Sequence, residues 1–144
     1  MNGIIRTFNT VLYQDKDLYV ASCDDLGTVD QGASPEQAIT NLQITTRSYL
    51  QETILPDITL NLITRTEALD LIVPPLPQVS SCRMISAMER QGFRRTKHCV
   101  ILEKETQIGK TICVVPLHYQ LTAGTISRLL YYAGITPQEF SNAL

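Results

Sequence analysis

The chain has 144 residues, 44% of them hydrophobic, with a formal net charge of −2, a size and composition that suit one ordinary domain or two very small ones. No apolar run reaches the roughly 18 residues a spanning helix needs, and the first residues lack the apolar core of a signal peptide. A cytoplasmic protein with no membrane contact is therefore expected, and the four cysteines (Cys23, Cys82, Cys99 and Cys113), which form no C-x-x-C pair and no metal-ligand spacing, read as reduced thiols packed as small apolar groups.

Charge is unevenly spread. Residues Met1 to Pro75 hold 4 Lys or Arg against 10 Asp or Glu, whereas Leu76 to Leu144 hold 8 against 4. An acidic part joined to a basic part suggests two modules, the basic one suited to a polyanion. The seam is the run from Ile72 to Ser81, where Pro74, Pro75 and Pro77 favour a stiff, extended connector. The expected division is an acidic domain over 1–72, a linker over 73–79 and a basic domain over 80–144.

In the acidic domain, apolar-rich runs on either side of Gln14 to Asp17 predict a β-hairpin. Gly27 and Gly32 bound a short third strand. Ser34 then suits a helix N-cap, Pro35 the first helical position and Gln37 a capping box. Ala38, Leu42, Thr45 and Tyr49 recur at helical spacing and predict one face turned to a sheet. The alternation after Pro56 predicts a further strand, and the run from Glu67 to Pro74 reads as either a strand or a short helix. This gives β-β-β-α-β.

In the basic domain, Ser80 or Ser81 caps a helix with Met84, Ile85 and Met88 on its apolar face and Gly92 as its stop. The run from Lys97 to Pro116 predicts two strands joined near Gly109. A helix closed by Gly134 follows, and Thr136, Pro137 and Glu139 mark the start of a short terminal helix. This gives α-β-β-α with a terminal turn, and the whole chain is α+β.

Three segments of the basic domain carry a family resemblance. "MISAMERQGF" resembles the first helix of HicA-type toxins, "ILEKETQIGKTICVVPLH" their β-hairpin, and "LTAGTISRLLYYAGITPQEF" their last helix and terminal turn. The acidic domain resembles the HicB-type antitoxin core through Tyr19, Val20, Ala21, Asp25, Leu26, Gly27, Gly32, Ser34, Glu36, Ala38 and Asn41. The resemblance implies a truncated RNase-H-like module fused to a double-stranded-RNA-binding-domain-like module, an antitoxin core and an mRNA interferase in one chain. It also implies an antitoxin–toxin contact within or between chains and a homodimer paired through the antitoxin sheet. The DNA-binding element usual after the antitoxin core has no room between Pro56 and Pro77, so DNA binding is not expected. Where the family has Gly-Ser-His, this chain has Thr96-Lys97-His98, and the segment before the histidine is shorter.

The chemistry of that reading is simple. RNA carries its own nucleophile, the 2′-hydroxyl, so cleavage needs a proton acceptor and positive charge on the phosphate. His98 suits proton transfer, because an ordinary imidazole titrates near pH 6.5. Arg94, Arg95 and Lys97 suit the phosphates, with Lys104 and Lys110 further out and His118 as a supporting RNA contact or a part of the loop structure. The chain lacks the clustered carboxylates of a two-metal nuclease, so neither metal nor cofactor is expected. Asp15, Asp17, Asp24 and Asp25 read as electrostatic cover for the basic domain or as a solubilising surface. The functional expectation is a metal-independent endoribonuclease held inhibited by its acidic partner domain. The alternative is an RNA-binding remnant that has lost the chemistry.

Overall fold

The computed structural model describes residues 4–53, 58–67, 76–96 and 100–144. The chain is α+β and divides into two units, Met1–Leu69 and Asp70–Leu144, with one sheet each. Among the described residues, no helix is long and apolar enough to cross a membrane.

The first unit begins with β1 (Ile4–Asp15), β2 (Leu18–Cys23) and β3 (Thr28–Gly32), followed by α1 (Pro35–Thr53) and β4 (Ile58–Thr66). β1 and β2 join as the expected hairpin through a two-residue turn, with Lys16 at φ 58 in the left-handed region that such turns require. The sheet order is β3-β2-β1-β4, with β4 parallel to β1. A parallel return needs a long crossover, which α1 supplies. The Glu67 N–H donates to the Leu12 carbonyl at 2.9 Å and extends this ladder by one rung. The strand-or-helix reading of Glu67 to Pro74 falls, beyond Glu67, outside the described residues.

α1 starts where its capping residues predict. Ser34 Oγ accepts from the Gln37 N–H at 3.1 Å. Gln37 Oε1 accepts from the Ala33 N–H at 2.6 Å, one residue earlier than the predicted capping box. Leu12, Ala21 and Cys23 alternate on the sheet face that meets Ala38 and Leu42 of the helix. Beside this apolar core lie buried polar bonds from β3 to α1: Thr28 Oγ1 to Thr46 Oγ1 at 2.8 Å, and Thr45 Oγ1 donating to Asp30 Oδ2 at 2.6 Å. Thr45 is thus on the buried stripe, as its spacing predicts, but as a hydrogen-bond donor. Gly32 closes the layer. A Cβ there would stand 2.5 Å from the Ala38 nitrogen, so only glycine lets the first turn of α1 lie against β3.

The second unit runs α2 (Ser81–Arg90), β5 (Arg94–Arg95), β6 (Ile101–Thr106), β7 (Gly109–Val114), α3 (Ala123–Ala133) and α4 (Pro137–Ala143). Its three strands are antiparallel in the order β5-β6-β7. Each helix is capped by a side chain from the predicted neighbourhood: Ser80, Thr122 and Thr136. At α4 the capping box is complete, and its bonds to the Thr136 backbone and hydroxyl hold the Glu139 carboxyl below the usual range. Met84 and Met88 are fully buried, and Gly92 at φ 97 turns the chain out of α2.

Two expectations are corrected here. The strand placed from Lys97 begins at Ile101. A strand that sequence does not show, β5, pairs with β6, Arg94 opposite Glu103 and Arg95 opposite Leu102. Two exposed arginines have no apolar alternation, so their strand exists through pairing alone. At the C-terminal end of the proline-rich seam, the Val79 carbonyl accepts from the Leu121 N–H at 2.8 Å and Leu76 and Val79 are buried.

Two substitutions in the first unit should move stability in opposite directions. Gly32→Ala is expected to lose about 2–3 kcal/mol, because the new Cβ meets backbone. Ser22→Ala is expected to gain about 1 kcal/mol, because the Ser22 hydroxyl is buried with no partner among the described residues. Urea denaturation of both variants beside the parent checks each sign.

Candidate functional site

Four of the cations named from the sequence, Arg94, Arg95, Lys104 and Lys110, lie on β5, β6 and β7. Arg94 lies across from Glu103, and its Nη2 reaches Glu103 Oε1 at 3.2 Å. Lys110 Nζ takes the other carboxylate oxygen of Glu103 at 3.3 Å. One carboxylate thus bridges two of the expected phosphate ligands. Arg95 turns to α2 and grips Glu89 through both Nε and Nη2, each at 3.1 Å, in the fork geometry guanidinium favours. These pairs are partly exposed, so each contributes only about 0.2–1 kcal/mol.

Lys104 is placed differently. Its stem runs over Gly92, where a Cβ would come within 3.3 Å of the Lys104 Cε. Its ammonium stands 5.7 Å from the centroid of the buried Phe93 ring. The helix stop, Gly-Phe, and the lysine of the hairpin therefore form one contact. His98 and Lys97 fall outside the described residues. The flanking backbone is paired: the Thr96 N–H donates to the Ile101 carbonyl and the Val115 N–H to the Val100 carbonyl, each at 2.9 Å.

His118 is half-buried in a separate place, after β7. Its N–H donates to Ser81 Oγ at 2.7 Å, and its carbonyl accepts from the Ser81 N–H at 3.1 Å. The Ser81 hydroxyl also faces the carbonyls of Pro116 and His118. Ser81 is the first residue of α2, so this contact fastens the 116–118 segment to the helix start. Between them lies an open hollow of about 780 Å³, lined by Ser80, Ser81, Cys82, Leu117, His118 and Tyr119. The structure thus brings Arg94, Arg95, Lys104 and Lys110 onto one sheet and its adjoining helix turn, and gives His118 its own surroundings.

Several of these residues carry no sequence signal. Tyr119 and Leu117 are 100% and 70% exposed, and nothing in their spacing distinguishes them from ordinary loop residues. Ser81 reads only as a capping candidate, because its partners lie 35 and 37 residues away. The acidic group of the first unit is mixed. Asp15 is buried, whereas Asp17, Asp24 and Asp25 are exposed, and Asp25 Oδ2 accepts from the Asn9 N–H at 3.2 Å. Among the described residues, no three His, Cys, Asp or Glu side chains are grouped to hold a metal ion.

The described thiols divide by burial. Cys82 is exposed, while Cys23 and Cys113 are buried. Burial pushes the Cys113 thiol from 9.0 up to about 12 and raises Cys23 as well, since a thiolate is poorly solvated in an apolar interior. Comparison of the chain with family models, with curated proteins and with solved structures finds no match in any of the three.

Thiol labelling of the folded protein is expected to modify Cys82 rapidly and to spare Cys23 and Cys113 until denaturant is added, as peptide mapping would report. Because the folded thiol of Cys113 titrates at about 12 and the unfolded one at 9.0, the stability from its burial is present below about pH 9 and lost progressively between 9 and 12. The loss should be shallower in Cys113→Ala when melting is followed against pH.

Proposed function

We propose that the chain is a HicB-type antitoxin core fused to a HicA-type toxin: a cytoplasmic, metal-independent endoribonuclease held inhibited by its acidic unit. The observation that carries this reading is the pair of strand orders. A β3-β2-β1-β4 sheet with β4 parallel to β1 and α1 as the crossover suits a truncated RNase-H-like core. A β5-β6-β7 sheet with α2 before it and α3 after it suits a double-stranded-RNA-binding-domain-like module. The charge division falls along the same line.

In the proposed reaction, His98 takes the proton of the ribose 2′-hydroxyl. The 2′-oxygen attacks phosphorus, the bond from phosphorus to the 5′-oxygen breaks, and that oxygen takes up the proton that the His98 imidazolium gives back through water. The products are a 2′,3′-cyclic phosphate and a free 5′-hydroxyl. One positioned base supplies about 10²–10⁴-fold. Arg94, Arg95 and Lys97 hold the phosphate, Lys104 and Lys110 extend the cationic surface, and His118 contacts RNA further along. For a phosphate to reach Arg94, Arg95 or Lys110 it must displace Glu103 or Glu89, and exposed pairs worth about 1 kcal/mol or less yield to a polyanion. The acidic unit, tethered at roughly millimolar effective concentration, competes for the same cations. Pairing through the antitoxin sheet would make the assembly a homodimer.

A second reading is favoured by one specific feature, Thr96-Lys97 in place of Gly-Ser before His98: the chain is an RNA-binding remnant without catalysis. The fragment 76–144, incubated with RNA in EDTA, separates the two. Cleavage that disappears in His98→Ala supports the nuclease, and binding without cleavage supports the remnant. Independently, Glu103→Gln and Glu89→Gln should each tighten RNA binding by about 2- to 5-fold by releasing a cation from its internal partner. Unchanged affinity in both variants would remove Arg94 and Arg95 from the RNA contact.

A further inference from the structure

We propose that the hollow between the first turn of α2 and the 117–119 segment is a nucleotide subsite for single-stranded RNA, the base stacking on Tyr119 and the phosphate meeting Arg83. This rests on the RNA reading above and deepens its His118 contact into a subsite with a stacking ring and a phosphate ligand.

Ser81 joins the backbone of the hollow's two walls through both its main chain and its side chain, so the two walls keep a fixed spacing. The hollow is open to solvent, and its volume of about 780 Å³ exceeds what a single base needs. Tyr119 is 100% exposed at its rim, so the ring contributes nothing to the core and presents its full π-face outward. Leu117 beside it is 70% exposed, and the half-buried His118 completes the wall. Aromatic and apolar faces around a preformed hollow suit a nucleobase, which offers a flat π-surface of any sequence.

Charge selects the same occupant. No carboxylate lines the hollow, and the first turn of α2 contains no acidic residue. Arg83, the next helical residue after Cys82, is exposed and makes no ion pair among the described residues. The other described cations of this unit are already engaged. Arg94 and Lys110 share Glu103, Arg95 grips Glu89, Arg90 donates to the Ala143 carbonyl, and Lys104 and Arg128 stand over aromatic rings. A phosphate arriving at Arg83 displaces no internal partner, whereas one arriving at Arg94 or Arg95 does. First contact with RNA therefore falls at the hollow, away from the residues assigned to cleavage.

The test uses the full chain and a short fluorescein-labelled single-stranded RNA followed by anisotropy over a salt series. The parent protein is expected to bind. Tyr119→Ala should weaken binding by about tenfold while Tyr119→Phe retains it, since stacking needs the ring and not the hydroxyl. Arg83→Ala should reduce the slope of log affinity against log salt by about one, the signature of one lost phosphate contact. Both replaced side chains are exposed, and unchanged circular dichroism would confirm that folding is preserved. If Tyr119→Ala and Arg83→Ala bind as the parent does, the subsite is wrong and the RNA reading stands. If the parent itself does not bind RNA, the reading fails and the subsite fails with it.

Discussion

Ser81 holds the start of α2 and the segment after β7 together. A hydroxyl has one proton and two lone pairs, and here it accepts from the His118 N–H while its proton faces the carbonyls of Pro116 and His118. With the Ser81 N–H bound to His118 as well, the chain leaving β7 is tied to the first turn of α2. That tie sets where the histidine stands, which loop residues reach solvent, and how large a hollow they leave. An alanine at this position would leave the Pro116 carbonyl and the His118 N–H without the hydroxyl, while the His118 carbonyl keeps the backbone N–H of residue 81.

The basic unit carries its positive charge in two forms. On the β5-β6-β7 surface, charge is balanced locally, since Glu103 serves Arg94 and Lys110, and Glu89 serves Arg95. These pairs are weak enough to exchange and close enough to screen the cations from casual anions. At the start of α2, Arg83 is exposed and follows Cys82, which lines an apolar hollow free of carboxylates. A nucleic acid would meet these regions under different rules: stacking and an available cation at the hollow, displacement of carboxylates at the sheet. The difference between the two regions follows from which side chains the fold pairs, and net charge does not reveal it.

The first unit uses polar contacts where an apolar core would be expected alone. Asp30 accepts from Thr45 and from the Gln31 N–H at 2.7 Å, and Thr28 meets Thr46. Such bonds specify one register between β3 and α1, because a buried donor or acceptor out of register loses its partner at a cost of about 1–3 kcal/mol. Gly32 adds a steric condition at the same junction. Together they fix the helix whose length allows β4 to return parallel to β1.

Sequence by itself determined the elements that local chemistry controls. Ser34, Thr136 with Glu139, Gly92 and Gly134 mark helix ends by bonds that span at most four residues. The turn at Gly109 and the hairpin around Lys16 follow from backbone preference in the same way. The cationic cluster was also legible as composition, and so was the division into acidic and basic parts. Tertiary structure alone decided the partners. β5 has no apolar pattern and exists because β6 offers an edge. Glu103 became a bridge because strand pairing put it opposite Arg94. Ser81 met His118 across 37 residues, and that contact placed two unremarkable loop residues, Leu117 and Tyr119, at one hollow. The physical reason is range: capping and turn bonds act between neighbours in the chain, whereas pairing and packing act between whatever folding brings together.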